Sequence, residues 1–270
     1  MNDFLFLMWK PLLACFVLTG IHAYLGIHVV EREVIFVDLA LAQIAALGAT
    51  IGFLFGFSLE GVESYWFSLV ATFIGAVIFS LTRTRKARVP QEAIIGVVFA
   101  VSAAAAVLVL SRAAEGDEHL RHILVGNILL VSMPEIVKMA ILYGVVGLFH
   151  FFFRENFLLI STRPEEAFRK GLKVRVWDLL FYLTFGLVVT SSVRIAGVLL
   201  VFSFLIVPAI AAILFSDKVR TRLFIGWVLG AVTSLAGLCL SYQYDLPTGA
   251  TVVCAFGGML LLTAILRRKN

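Results

Sequence analysis

Charge is what this sequence has least of. Only 14% of its 270 residues are Asp, Glu, Lys or Arg, against about 25% in an ordinary soluble domain. Hydrophobic residues make up 61% and the mean hydropathy is +1.02, a balance that excludes a soluble globular fold. Cysteine is scarce as well. Cys15, Cys239 and Cys254 each lie inside an apolar run, so the chain has neither a disulfide framework nor a zinc module. No P-loop sequence, no Gly-x-Ser-x-Gly and no His-Glu-x-x-His occurs, which removes the common nucleotide-site and hydrolase signatures. What is present is a succession of long apolar runs.

A helix needs roughly 20 mainly apolar residues to cross a hydrocarbon core of about 30 Å. Nine runs qualify: 4–24, 34–57, 64–82, 93–111, 134–153, 176–193, 195–215, 222–241 and 248–266. Arg194 is the weakest boundary, a single charge between two runs; if the chain merely bends there, the number falls to eight. These are unbroken runs, whereas the strands of a membrane barrel alternate in short segments. The expected fold is therefore all-α, a polytopic transmembrane helical bundle of eight to nine spans, with residues 1–270 forming a single transmembrane domain. The first run is as long as a full span and lacks a basic start, so it reads as a retained span rather than a cleaved leader.

Lys and Arg concentrate on the cytoplasmic side of a membrane. With the N-terminus outside and the C-terminus cytoplasmic, one side collects Arg32, then Arg83, Arg85, Lys86 and Arg88, then the basic residues from Arg154 to Arg175, then Lys218, Arg220 and Arg222, and finally Arg267, Arg268 and Lys269. The opposite loops are acidic, with Glu60, Glu63, Glu115, Asp117, Glu118 and Asp245; Arg112 and Arg121 run against the pattern. The net charge of +5 thus reports topology, not nucleic-acid binding.

Polar groups inside spans are costly and mark candidate functional positions. Asp38 lies about 6 Å and Gln43 about 13 Å past the start of the second run, at 1.5 Å per residue. Asp38 reads either as a path residue or as an interfacial carboxylate paired with Arg32. Gln43 reads as a path residue or as a hydrogen bond to a neighbouring helix. Gly48, Gly52 and Gly56 recur every fourth residue on one helix face, which permits close backbone approach. Pro208 predicts a kink in the seventh run. His22 and His150 read as interface residues near the ends of their spans.

Two loops stand out. In 154–175, Thr162 is a suitable N-cap, Pro164 suits the first turn, Glu165 and Glu166 complement the helix dipole, and Gly171 can stop the helix after Arg169 and Lys170. Such a short capped helix is either a docking element for a soluble partner or a solvated surface helix. The acidic loop holds His119 and His122 beside Glu115, Asp117 and Glu118; it reads as a solvated loop, with divalent-ion capture as the alternative.

Several stretches together resemble the membrane permease subunits of bacterial ABC importers for divalent metals, of the zinc, manganese and iron type. They are Gly26 to Arg32 leading into Asp38 to Gly48, Gln91 to Gly96, Gly126 to Leu129, Pro164 to Gly171, Gly197 to Leu200 running on to Pro208, and Asp245 to Gly249. The resemblance implies a multi-pass protein of the bacterial inner membrane that forms a homodimer with a second permease subunit and is not itself an enzyme. It also implies cytoplasmic ABC ATPase subunits that use the ATP, and an extracytoplasmic substrate-binding protein. No cofactor is expected on this chain, no nucleic acid is a partner, and membrane lipid surrounds it. Pro164, Glu165, Glu166, Ala167, Phe168, Arg169, Lys170 and Gly171 correspond to the family's coupling helix, which docks the ATPase.

One departure bears on the cargo. Where the family carries an Asp and a His four residues apart, this chain has Leu39 and Gln43. Asp38 and Gln43, five apart, stand about 140° from each other around a helix. They remain the candidate metal contacts, with Leu39 beside them on the path. An amide replaces imidazole poorly for zinc. The alternatives are a family member carrying a non-metal ligand, and a secondary transporter or channel without an ATPase, which would be expected to show inverted repeats and broken spans.

Overall fold

A computed structural model describes residues 2–58, 61–83, 89–111 and 126–268. Arg85, Lys86, Arg88, Arg112, Arg121, Lys269, Glu60 and the whole Glu115–His122 group lie outside the described residues. The described residues are helical throughout: α1 (Asn2–Glu31), α2 (Val37–Leu54), α3 (Val62–Thr82), α4 (Gln91–Leu110), a 3-10 turn (Ile128–Leu130), α5 (Met133–Phe152), α6 (Arg154–Thr162), α7 (Pro164–Arg169), α8 (Val174–Ala196), α9 (Val198–Phe215), α10 (Val219–Tyr244) and α11 (Thr248–Arg268). Nine of these, all but α6, α7 and the 3-10 turn, are long and apolar enough to cross a membrane. The break near Arg194 falls three residues later, at Gly197, whose φ of +78° separates α8 from α9. Both flanking helices qualify as spans, so the higher of the two expected numbers holds among the described residues. The first helix runs on to Glu31, beyond the end of its apolar run, because His28 and its neighbours are buried.

The chain forms two compact units. One comprises Met1–Val30, Leu124–Gly147 and Ser192–Asn270. Here α9, α10 and α11 pack on one another. Gly26 brings α1 into backbone contact with α9, since a Cβ there would collide with the Leu205 carbonyl. Gly126, at φ +65°, sits equally close against Ala196 and Gly197, and Asn127 N–H donates to the Ile195 carbonyl at 3.3 Å. Helix α9 continues through Pro208. His22 is fully buried in this unit, with Nδ1 on the Leu18 carbonyl at 2.9 Å and Nε2 accepting from Ser192, which also bonds Tyr143. It is a packed interior group, not an interface residue.

The other unit comprises Glu31–Ile123 and Leu148–Ser191. Its centre is α2, which packs against both α3 and α4. Gly48 and Gly52 make the α2–α3 approach possible: added Cβ atoms would lie 2.6 Å from the Phe67 carbonyl oxygen and 3.1 Å from Ser64 Oγ. Gly56 has a different use. Its φ is +86°, it faces open space, and its N–H bonds the Phe53 carbonyl while that of Phe57 reaches Gly52, the pattern of a glycine closing a helix. His150 is buried, stacked 4.2 Å from Phe157 with Nε2 on Thr184 Oγ1 at 2.8 Å, so it too is a packing residue.

Candidate translocation and docking sites

Helix α2 begins with two carboxylates near its first N–H groups. Glu92, in the first turn of α4, accepts from Phe36 N–H at 3.0 Å, and Asp38 lies in the first turn of α2 itself. Negative charge belongs at a helix N-terminus. Asp38 is only 2% exposed, and its Oδ1 has no hydrogen-bond donor among the described residues. The interfacial pairing of Asp38 with Arg32 is corrected: Arg32 is bound to Asp178 instead. Gln43 is also buried, and Leu39, one turn before it on the same face, is partly exposed. Asp38 and Gln43 thus share a helix but not a face.

The docking candidate is a real helix, and its ends can be read in detail. Pro164 occupies the first turn, as expected. Thr162 does not cap it: this residue ends α6 and donates to the Leu158 carbonyl, and Arg163 takes the cap position. The hydroxyl is better satisfied by finishing its own helix than by starting the next. At the other end, Gly171 at φ +72° donates to Phe168 and Leu172 to Ala167, the paired bonds of a glycine-terminated helix. Glu166 forms ion pairs with Arg163 at 2.9 Å and Lys170 at 2.8 Å. The hydrogen bond from Lys170, with the nearby positive charges, holds the Glu166 carboxyl below the usual carboxylate range. Ala167 is turned inward, fully buried with Ile160 and Val174, and Leu159, Phe168, Leu172 and Trp177 pack around them. The solvent-facing side of α7 is therefore Glu165, Arg169, Lys170 and Gly171.

The sequence reading missed a buried ionic knot in the same unit. Asp178 Oδ1 accepts from Arg32 Nη1 at 2.6 Å and from Arg83 Nη1 at 2.9 Å. Arg32 also donates to Ser161 Oγ at 2.8 Å, and Arg83 to the Ile160 carbonyl at 3.2 Å. The Arg32 guanidinium lies 4.0 Å from the Phe181 ring centre. The available signal was Asp178 itself, the one acid in α8; an ionisable group in so apolar a helix calls for a partner.

The segments that resemble one another's family counterparts also meet in space within their units. Gly126 touches Gly197 in the first, and in the second Glu92 reaches Phe36, two residues before Asp38.

Comparisons with known proteins agree with this arrangement. A manganese transport system membrane protein, MntC, of Listeria innocua is 32% identical over 203 residues, covering 72% of each chain. A probable iron transport system membrane protein of Haemophilus influenzae is 26% identical, over 91% of this chain and 88% of its own. In fold, the chain is similar to PsaBC from Streptococcus pneumoniae solved with a Fab, with a TM-score of 0.76, 20% identity and coverage of 97% and 94%. It is also similar to an inward-facing metal-chelate type ABC transporter, with a TM-score of 0.72, 17% identity and coverage of 95% and 85%. The ABC 3 transport family matches residues 5–267; with that match and the nine apolar helices among the described residues, the chain is a multi-pass membrane protein and belongs to the ABC 3 transport family.

Proposed function

We propose that this chain is the membrane-spanning permease subunit of an ABC importer that brings a divalent metal ion into the bacterial cytoplasm across the inner membrane. The observation that carries the reading is the full-length family match together with relatives named for manganese and iron transport. ATP hydrolysis belongs to a separate ATPase. A second copy of the chain completes the permease, and an extracytoplasmic binding protein delivers the ion. The distribution of basic residues supports a cytoplasmic α7, whose exposed Glu165, Arg169 and Lys170 would meet the ATPase there.

Asp38 and Gln43 are the path contacts on this reading. Both offer oxygen, which suits manganese better than zinc. Standing about 7.5 Å apart along the axis and on different faces, they act as successive contacts rather than as one chelate. A weak, stepwise path suits an ion that must also leave.

The test is uptake of manganese(II) into proteoliposomes holding the permease, its ATPase and external binding protein. ATP-dependent accumulation is expected. Uptake that needs no ATPase would identify a secondary transporter or channel, and ATP turnover with no metal movement would point to a non-metal ligand.

A further inference from the structure

Asp178 holds together elements that the chain keeps far apart. It accepts from Arg32, in the link between α1 and α2, and from Arg83, which follows the last residue of α3. The same two arginines grip the end of α6 through Ser161 and Ile160. Only Arg163 separates α6 from α7. Asp178 lies one turn beyond Val174, and Val174 and Ile160 pack on Ala167 of α7. Any displacement of α7 therefore reaches the knot by two routes, through α6 and through the start of α8.

Stability alone does not account for such a cluster. Burying charges costs desolvation that offsets much of their attraction; fixed geometry is what a buried ionic knot supplies. This one also has an unused second pairing. Both arginines share Oδ1, while Asp178 Oδ2 and Arg32 Nη2 have no hydrogen-bond partner among the described residues. A small rotation can turn the Arg32 contact into a two-point pair without leaving either charge alone. A network with two discrete arrangements is what mechanical coupling requires.

We propose that Asp178, with Arg32 and Arg83, is the positioning group that carries movement of the docking helix α7 into the α1–α2 link and the end of α3. Arg32 lies five residues before Val37, the first residue of α2, so the movement arrives beside Asp38. This inference rests on the reading of α7 as the ATPase docking helix.

The test is the number of manganese(II) ions transported per ATP hydrolysed by the reconstituted complex. Arg83→Gln is the variant of choice, because it leaves a neutral Arg32–Asp178 pair and Arg83 is already 14% exposed. ATP hydrolysis should continue while the ratio falls about tenfold, the scale of one lost charge-assisted hydrogen bond. Arg83→Lys should recover part of the ratio. Asp178→Asn should lower it too, and the double variant Arg83→Gln with Asp178→Asn should be no worse than the worse single one. If transport and hydrolysis fall in step, with the ratio unchanged, the knot only supports the fold and the inference is overturned. A wild-type complex that couples no ATP to metal uptake would instead overturn the permease reading beneath it.

Discussion

At Gly48 the backbone of α2 touches that of α3: a Cβ there would lie 2.6 Å from the Phe67 carbonyl oxygen and 2.8 Å from Ser68 Cα. Neither neighbour is the end of a flexible side chain, so neither can swing away. Gly48→Val should lower the stability of the detergent-solubilised protein by about 1–3 kcal/mol, the usual cost of overpacking. Gly20→Ala is the control, since its Cβ would meet nothing within 4 Å. Thermal unfolding of both variants measures the difference, and equal behaviour would remove the close α2–α3 contact.

The spans were legible because lipid demands long apolar runs whatever the helices pack against, and those runs survive in the linear pattern. Gly48 and Gly52 were legible for a similar reason, as small residues at helical spacing. Gly56 shares that spacing but lies past the helix end, and only the chain's actual turn reveals it. The Arg32–Asp178 pair was hidden by its separation of 146 residues. Arg32 had a nearer carboxylate in sequence, Asp38, and proximity along the chain favoured the wrong partner. His22 and His150 were misplaced because their hydrogen-bond partners, Ser192 and Thr184, lie on α8, far along the chain.

The two sides of α7 should separate in mutagenesis. Ala167→Phe fills a fully buried position among Ile160 and Val174 and should destabilise the protein by about 1–3 kcal/mol. Arg169→Glu with Lys170→Glu changes exposed side chains and gives up the Lys170–Glu166 surface ion pair, so it should destabilise the protein less than Ala167→Phe does. The latter pair should instead weaken ATPase co-purification or the coupling of ATP to uptake. If it transports normally with the ATPase bound, α7 is not the docking element.

Acid should loosen α7 through Glu166. Its carboxyl is held below the ordinary range, first by the Lys170 hydrogen bond. A lowered folded value means the contribution is full above the unfolded glutamate value of about 4.3 and is lost as pH falls through the folded one. Limited proteolysis around residues 163–171 should accelerate over that acid window. Glu166→Gln should cleave faster at neutral pH and lose the acid step; an unchanged step in that variant would assign it to another group.

Orientation can be read with single-cysteine labels in a background lacking Cys15, Cys239 and Cys254. Gly171→Cys should react only from the cytoplasmic face and Asp245→Cys only from outside. Both positions are exposed. The reverse result would invert the assignment and remove α7 from the reach of a cytoplasmic ATPase.

Gln43 tests the path itself. It is buried on α2, with Leu39 one turn earlier on the same face, and residues four apart can hold one ion together. As the chain stands, the amide supplies a single neutral oxygen, so its hold on a passing ion is brief. Gln43→Leu should lower manganese(II) uptake while sparing assembly with the ATPase. Leu39→Asp with Gln43→His should create a carboxylate–imidazole pair, hold the ion longer and shift preference toward zinc, for which imidazole is a favoured ligand. Competition of zinc(II) against manganese(II) in the uptake assay reads that shift directly. Should Gln43→Leu keep full uptake but break the permease into monomers, the amide is a helix-to-helix contact and the ion passes along another face.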